Sequence, residues 1–122
     1  MKRVLIVDDE EDIREVMKLT VKLAGHEPVE ADGTLQALEV LRDGPVDLVL
    51  LDLRMPEVDG WDFLRAATED RLLGAAKVIV VSANADPAVA RQALNSGCSA
   101  FIEKPFSPRD LRAAIEGLLG PA

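Results

Sequence analysis

The chain has a single cysteine, Cys98, and so no internal disulfide. Its core must close without a covalent staple, as suits a reducing compartment. No apolar run approaches the roughly 20 residues that cross a bilayer, and no leader pattern opens the sequence. A cytoplasmic protein with no membrane contact is expected. Positive charge is scarce: 14 Lys and Arg stand against 22 Asp and Glu, a net charge of −8. That balance disfavours direct contact with nucleic acid, which calls for a basic patch. It suits a metal or a cationic partner. Internal repeats, low-complexity tracts, a G-x-G-x-x-G turn and a Walker-type lysine loop are all missing. What remains is 122 residues, 48% of them hydrophobic, enough for one domain with one core.

Two kinds of segment alternate. Residues 3–7 (RVLIV), 46–51 (VDLVLL), 77–82 (KVIVVS) and 100–102 (AFI) are short and strongly apolar. Continuous apolar runs bounded by turns suit parallel strands buried on both faces. PVEA at 28–31 carries a proline, which an edge strand tolerates and a central one does not. Between the runs the spacing predicts helices. One has Ile13, Val16, Met17, Thr20, Leu23 and Ala24 on one face and stops at Gly25; another rests on Leu35, Leu38 and Leu41 and closes at Gly44. A third is capped by Asp59, with Phe63, Leu64 and Ala67 inward. Asp86-Pro87 and Ser107-Pro108 each read as a cap followed by proline at the first helical position. Gly97 ends the first of these helices. Asp110 stands third after Ser107, as in a capping box, and Leu111, Ile115, Leu118 and Leu119 cover the core. Five βα units predict an open, doubly wound α/β parallel sheet, which binds ligands beyond the carboxyl ends of its strands.

Chemically useful residues stand at that edge. Asp8 and Asp9 follow the first strand, Asp52 the third, Ser82 ends the fourth and Lys104 follows the fifth. Each has an ordinary use: Asp8-Asp9 as a helix cap, Asp52 as the start of a turn before Met55-Pro56, Ser82 as a loop hydrogen bond, Lys104 as a solvated charge. Their convergence on one edge favours a shared site. Three carboxylates within a few ångströms repel and take up protons unless a cation compensates. Hard oxygen donors with no His or Cys beside them suit Mg²⁺ (or Mn²⁺). A carboxylate beside such an ion can attack phosphorus and become an aspartyl phosphate.

Read in order, VLIVDDEEDIRE, LVLLDLRMPEVDGWDFL, VIVVSAN and AFIEKPF resemble the receiver domain of two-component response regulators over essentially the whole chain. The resemblance implies a flavodoxin-like five-stranded sheet in the order 2-1-3-4-5 with five helices, and one receiver domain over residues 1–122. It implies that Asp52 accepts a phosphoryl group from a histidine kinase or histidine phosphotransfer protein. Asp8, Asp9, Asp52 and the backbone carbonyl of Arg54 would hold Mg²⁺, with Ser82 and Lys104 contacting the phosphoryl group. It also implies a cis Lys104-Pro105 bond and a switch in which Ser82 moves toward Asp52 and Phe101 swings inward. That movement would change the face formed by the fourth helix, fifth strand and fifth helix for a downstream protein. Such a protein turns over its own phosphoryl group and is not an enzyme for a separate substrate.

Several details belong to this chain. Arg54 and Asn84 stand two residues beyond Asp52 and Ser82, where the family tunes phosphate lifetime, and the Arg54 side chain could screen the phosphoryl group from water. Gly97-Cys98-Ser99-Ala100-Phe101 lacks the acids that precede the fifth strand in DNA-binding members that dimerise there. A monomer is therefore expected, with a phosphorylation-dependent dimer of another design still open. Cys98 reads as a small buried residue, His26 as a turn residue, and Trp61 as a fluorophore near the site. Gly120-Pro121-Ala122 reads as a terminus or as the start of a linker. Three rivals have other signatures. A haloacid dehalogenase-like phosphatase places its nucleophile in DxD after the first strand. A flavin or nucleotide module would need a phosphate-binding loop. A receiver-like interaction module would have lost site residues.

Overall fold

The computed structural model describes residues 1–55, 58–84 and 86–120. Pro56 and the terminal Pro121-Ala122, which the sequence placed in a turn and a tail, lie outside the described residues. Strands β1 (Arg3–Val7), β2 (Glu27–Ala31), β3 (Leu48–Asp52), β4 (Lys77–Ser82) and β5 (Ala100–Glu103) alternate with helices α1 (Glu11–Leu23), α2 (Thr34–Asp43), α3 (Gly60–Glu69), α4 (Pro87–Asn95) and α5 (Pro108–Leu119). All strand pairs are parallel, and the order is β2-β1-β3-β4-β5. The proline-bearing β2 lies at an edge, as its missing N–H requires. β3 begins two residues later than the apolar run and takes in Asp52 as its last residue.

The alternation of side chains along the strands builds two core layers. Leu5, Val7, Val49, Leu51, Val78 and Val80 pack with α2, α3 and α4, whereas Val4, Ile6, Leu48, Leu50, Ile79 and Val81 pack with α1 and α5. Both faces of the central strands are therefore dry, and each such side chain contributes about 1.5–3 kcal/mol by burial. The strand ends are thereby fixed to within the tolerance of a packed core.

Local signals close the helices. Asp59 and Asp62 form a reciprocal capping box at α3, Asp86 Oδ1 accepts the Ala88 N–H at 2.9 Å, and Ser107 Oγ accepts the Asp110 N–H at 3.4 Å. Gly25, with φ of 87°, ends α1 in a Schellman turn, its N–H donating to Lys22 and that of His26 to Val21. Three apolar positions expected inward are exposed: Val16 and Leu23 on α1 and Leu35 on α2. The buried arc of α1 is centred on Met17, Thr20, Val21 and Ala24, and that of α2 on Thr34, Ala37, Leu38 and Leu41. The exposed residues fall just beyond those arcs.

Candidate functional site

Four strand ends deliver the site. Asp8 follows β1 and is fully buried; Asp52 closes β3 at 2% exposure and Ser82 closes β4 at 1%. Lys104 follows β5 and is tied to β4 by its backbone N–H, which donates to Ser82 O at 2.8 Å. Its ammonium then reaches across the edge to Asp8 Oδ2 at 2.8 Å, Asp52 Oδ2 at 3.3 Å and Glu10 Oε1 at 3.7 Å. One cation thus serves three carboxylates.

The loops fix the remaining oxygens. Asp8 Oδ1 accepts the Glu10 N–H at 2.9 Å, Asp52 Oδ1 accepts the Arg54 N–H at 3.1 Å, and Ser82 Oγ accepts the Asn84 N–H at 3.1 Å. Each residue therefore also has the loop-organising use open to it from sequence. Helix capping by Asp8 or Asp9 is the exception: the N-cap of α1 is Glu10, with no side-chain cap bond. Asn84 Oδ1 accepts the Asp86 N–H at 3.1 Å, which ties it toward α4. The Arg54 side chain is exposed, Phe101 is half-buried against the α2–α3–α4 core layer, and Lys104-Pro105 is cis.

The charges are held against burial. Burial pushes the Asp52 carboxyl up from 3.8 to about 6, helped by the nearby Asp8, while Lys104 and the Arg54 N–H pull it back. Burial opposes the charge on Lys104 too, but the Asp8 and Asp52 carboxylates outweigh it and hold the ammonium above its ordinary value. Carboxylate oxygens of Asp8, Asp9, Glu10 and Asp52 lie within 4.8 Å of one another. This set of hard donors, with no nitrogen or sulfur among them, fits a divalent cation that prefers oxygen.

Four contributors escaped the sequence. Glu10 is the fourth carboxylate of the cluster. Arg14 Nη1 donates to the Asp8 backbone oxygen at 2.8 Å. Thr34 Oγ1 lies 2.9 Å from Val58 O and 3.1 Å from Asp59 O, holding the approach to α3. Gly60 packs so closely on the end of β3 that a Cβ there would sit 2.5 Å from the Asp52 backbone oxygen. Only Gly60 left a trace in the sequence, as a glycine directly after a cap. Of the residues set aside, Cys98 is buried and its thiol is pushed up to about 11 by that burial. His26 stands directly after the turn that ends α1 and is buried there, its Nδ1 accepting the Lys2 N–H at 3.2 Å.

Comparison with known proteins gives one result throughout. The response regulator receiver domain family matches residues 4–116. The phosphate regulon transcriptional regulatory protein PhoB of Pseudomonas aeruginosa is 38% identical over 97% of the chain and 52% of its own length. Response regulator Rre1 of Synechocystis is 34% identical over 94% of the chain and 50% of its own length. The chain spans about half the length of these curated relatives. Among solved structures, the chemotaxis protein CheY4 of Vibrio cholerae superposes with a TM-score of 0.89 at 25% identity, covering 98% of this chain and 99% of that one. Response regulator TrrA of Thermotoga maritima, solved with Mg²⁺ and a beryllium fluoride, gives 0.84 at 29% identity, covering 98% and 100%.

Proposed function

The chain belongs to the response regulator receiver domain family, and on that footing we propose that it is a phosphorylation-dependent signalling switch in which Asp52 is the phosphoacceptor. The observation that carries this reading is the buried cluster of Asp8, Asp52 and Lys104 at the carboxyl edge, where one ammonium spans two carboxylates. A scaffold built for stability would have little reason to hold charge there.

Asp8, Asp9, Asp52 and the Arg54 carbonyl would hold Mg²⁺, with Mn²⁺ as a substitute, and the bound ion would supply positive charge to offset that on the phosphoryl oxygens. The Asp52 carboxylate attacks the phosphorus of a phosphohistidine on a kinase or phosphotransfer protein. An O–P bond forms, the N–P bond breaks, and the departing imidazole nitrogen takes a proton. Lys104 leaves its carboxylate partners to pair with a phosphoryl oxygen, and Ser82 donates its hydroxyl proton to another. Displacement of Ser82 lets Phe101 move inward and remodels the face of α4, β5 and α5 for a downstream protein. Hydrolysis of the acyl phosphate resets the switch. Arg54 and Asn84 flank the phosphoryl group and set its lifetime, Arg54 by limiting the approach of water. Residues 1–122 act as one receiver unit that works in the cytoplasm through protein contacts.

The test is intact-mass measurement after incubation with Mg²⁺ and acetyl phosphate. One phosphoryl group should be added to the wild type and none to Asp52→Asn or to chelated protein. Decay of the adduct should quicken in Arg54→Ala and shift in Asn84→Ala. Phe101→Ala should take phosphate and lose the phosphate-dependent response of Trp61 fluorescence. A folded wild type that stays unmodified, or an Asp52→Asn protein that gains the same mass, would remove Asp52 from this role.

A further inference from the structure

The first helix opens without a cap of its own. The side chains of Asp59, Asp86 and Ser107 close the starts of α3, α4 and α5. The N-cap of α1 is Glu10, whose side chain makes no cap bond. Yet the turn before α1 is the one that carries Asp8 and Asp9, so another group must hold it. Arg14, one turn into the helix, reaches back to do so. Its Nη1 donates to the Asp8 backbone oxygen at 2.8 Å, and its Nε lies 3.6 Å from Glu30 Oε1 on β2.

That oxygen belongs to the peptide plane joining Asp8 to Asp9. The plane is rigid, so its tilt sets ψ of Asp8 and φ of Asp9 together, and one hydrogen bond helps to aim both carboxylates. The rest of Asp8 is engaged as well: its N–H donates to Ala31 O at 3.2 Å, Oδ1 accepts the Glu10 N–H at 2.9 Å and Oδ2 meets Lys104 at 2.8 Å. Asp9 is exposed, and the plane it shares with Asp8 directs it. Asp8 has no surface in water, and a buried carbonyl needs a partner. Without Arg14 the plane would turn toward another donor and take Asp9 with it.

A positive charge beside a cation site opposes the ion. Here it is offset. Glu30 meets Arg14 with Oε1 and Lys18 with Oε2, the latter at 3.2 Å, and Lys18 also meets Glu15 at 2.9 Å. Two cations and two anions leave no net charge. Glu30 stands in register with Ile6 of β1, so the guanidinium is tied to the sheet at one end and to the turn at the other.

We propose that Arg14 is a positioning residue for the metal site, its guanidinium fork aligning the Asp8–Asp9 peptide from the anchor that Glu30 provides on β2. The inference rests on the reading of Asp8 and Asp9 as metal ligands. Arg14 acts through the backbone behind those ligands, where outer groups commonly set metal affinity. A lysine in its place has the charge without the fork that serves two partners at once.

A Mg²⁺ titration of the full chain, followed by amide signals in NMR with no phosphodonor present, tests this. Arg14→Met should weaken Mg²⁺ binding about tenfold. The sign decides between two roles, because loss of a nearby positive charge would by electrostatics alone tighten binding. Arg14→Lys, which keeps the charge, should also bind Mg²⁺ more weakly than the wild type, and so should Glu30→Met, which frees the fork and unmasks its charge. A purely structural role would lower the metal-free stability in urea and leave the Mg²⁺ affinity of the folded protein alone. Wild-type or tighter affinity in Arg14→Met would overturn the proposal while the metal site stands. If that variant does not fold, wild-type affinity in both Arg14→Lys and Glu30→Met would do the same. A wild type with no saturable Mg²⁺ binding would remove the metal site itself, and the proposal with it.

Discussion

The two ends of the sheet handle charge in opposite ways. At the amino end, Asp47 Oδ2 accepts the Arg3 N–H at 2.8 Å, Arg3 Nη1 donates to Pro45 O at 3.1 Å, and Lys77 Nζ donates to Leu118 O at 3.3 Å, all in contact with water. At the carboxyl end, Asp8, Asp52 and Ser82 are buried, and one lysine spans two of the carboxylates. The strands are the same at both ends, and so is the packing behind them. Water tolerates the first arrangement, whereas burial raises the energy of the second. Charge held where the fold disfavours it points to chemistry.

Removing the shared cation should have the largest effect. Lys104→Met leaves Asp8 and Asp52 buried without a counter-charge, and the metal-free protein should lose about 3 kcal/mol at neutral pH. Urea denaturation reads the loss, and added Mg²⁺ should restore part of it by binding the folded form. Gly60→Ala should come next. Its Cβ meets the backbone of Asp52 and Leu53 at 2.5 and 2.8 Å, so α3 must shift off β3, at about 1–3 kcal/mol. Phosphoryl uptake at Asp52 should fall with it, which ties the carboxyl end to its supporting glycine. At the amino end, Asp47→Ala should cost about 1 kcal/mol or less and leave uptake unchanged. A loss there equal to that of Lys104→Met would erase the contrast between the two ends.

Much of this was legible in the sequence because strand ends are. The apolar runs are short and bounded, so each fixes where its last residue emerges, and Asp8, Asp52, Ser82 and Lys104 followed from that alone. Asp59 and Gly25 were legible because caps and stops are local chemistry. Glu10 was not, since its membership of the cluster depends on how the loop turns after Asp8. Arg14 and Thr34 act on backbone oxygens, to which a sequence pattern is blind. The inner face of α1 was drawn too wide: Val16 and Leu23 fit the helical period, but β2 and α5 cover only the narrower arc through Met17, Thr20, Val21 and Ala24.

The most direct measurement is the unfolding free energy of metal-free wild type and Asp52→Asn from about pH 4 to pH 8. Folding raises the Asp52 carboxyl from 3.8 to about 6, so the folded state holds its proton more tightly than the unfolded state. Asp52 therefore removes stability as pH rises through that window, on the order of 3 kcal/mol above it, and asparagine has no such dependence. The variant should be the more stable protein at neutral pH, with the gap closing toward pH 4. A wild type as stable as Asp52→Asn at neutral pH, or a gap that does not narrow in acid, would mean that the carboxylate is not held against the fold.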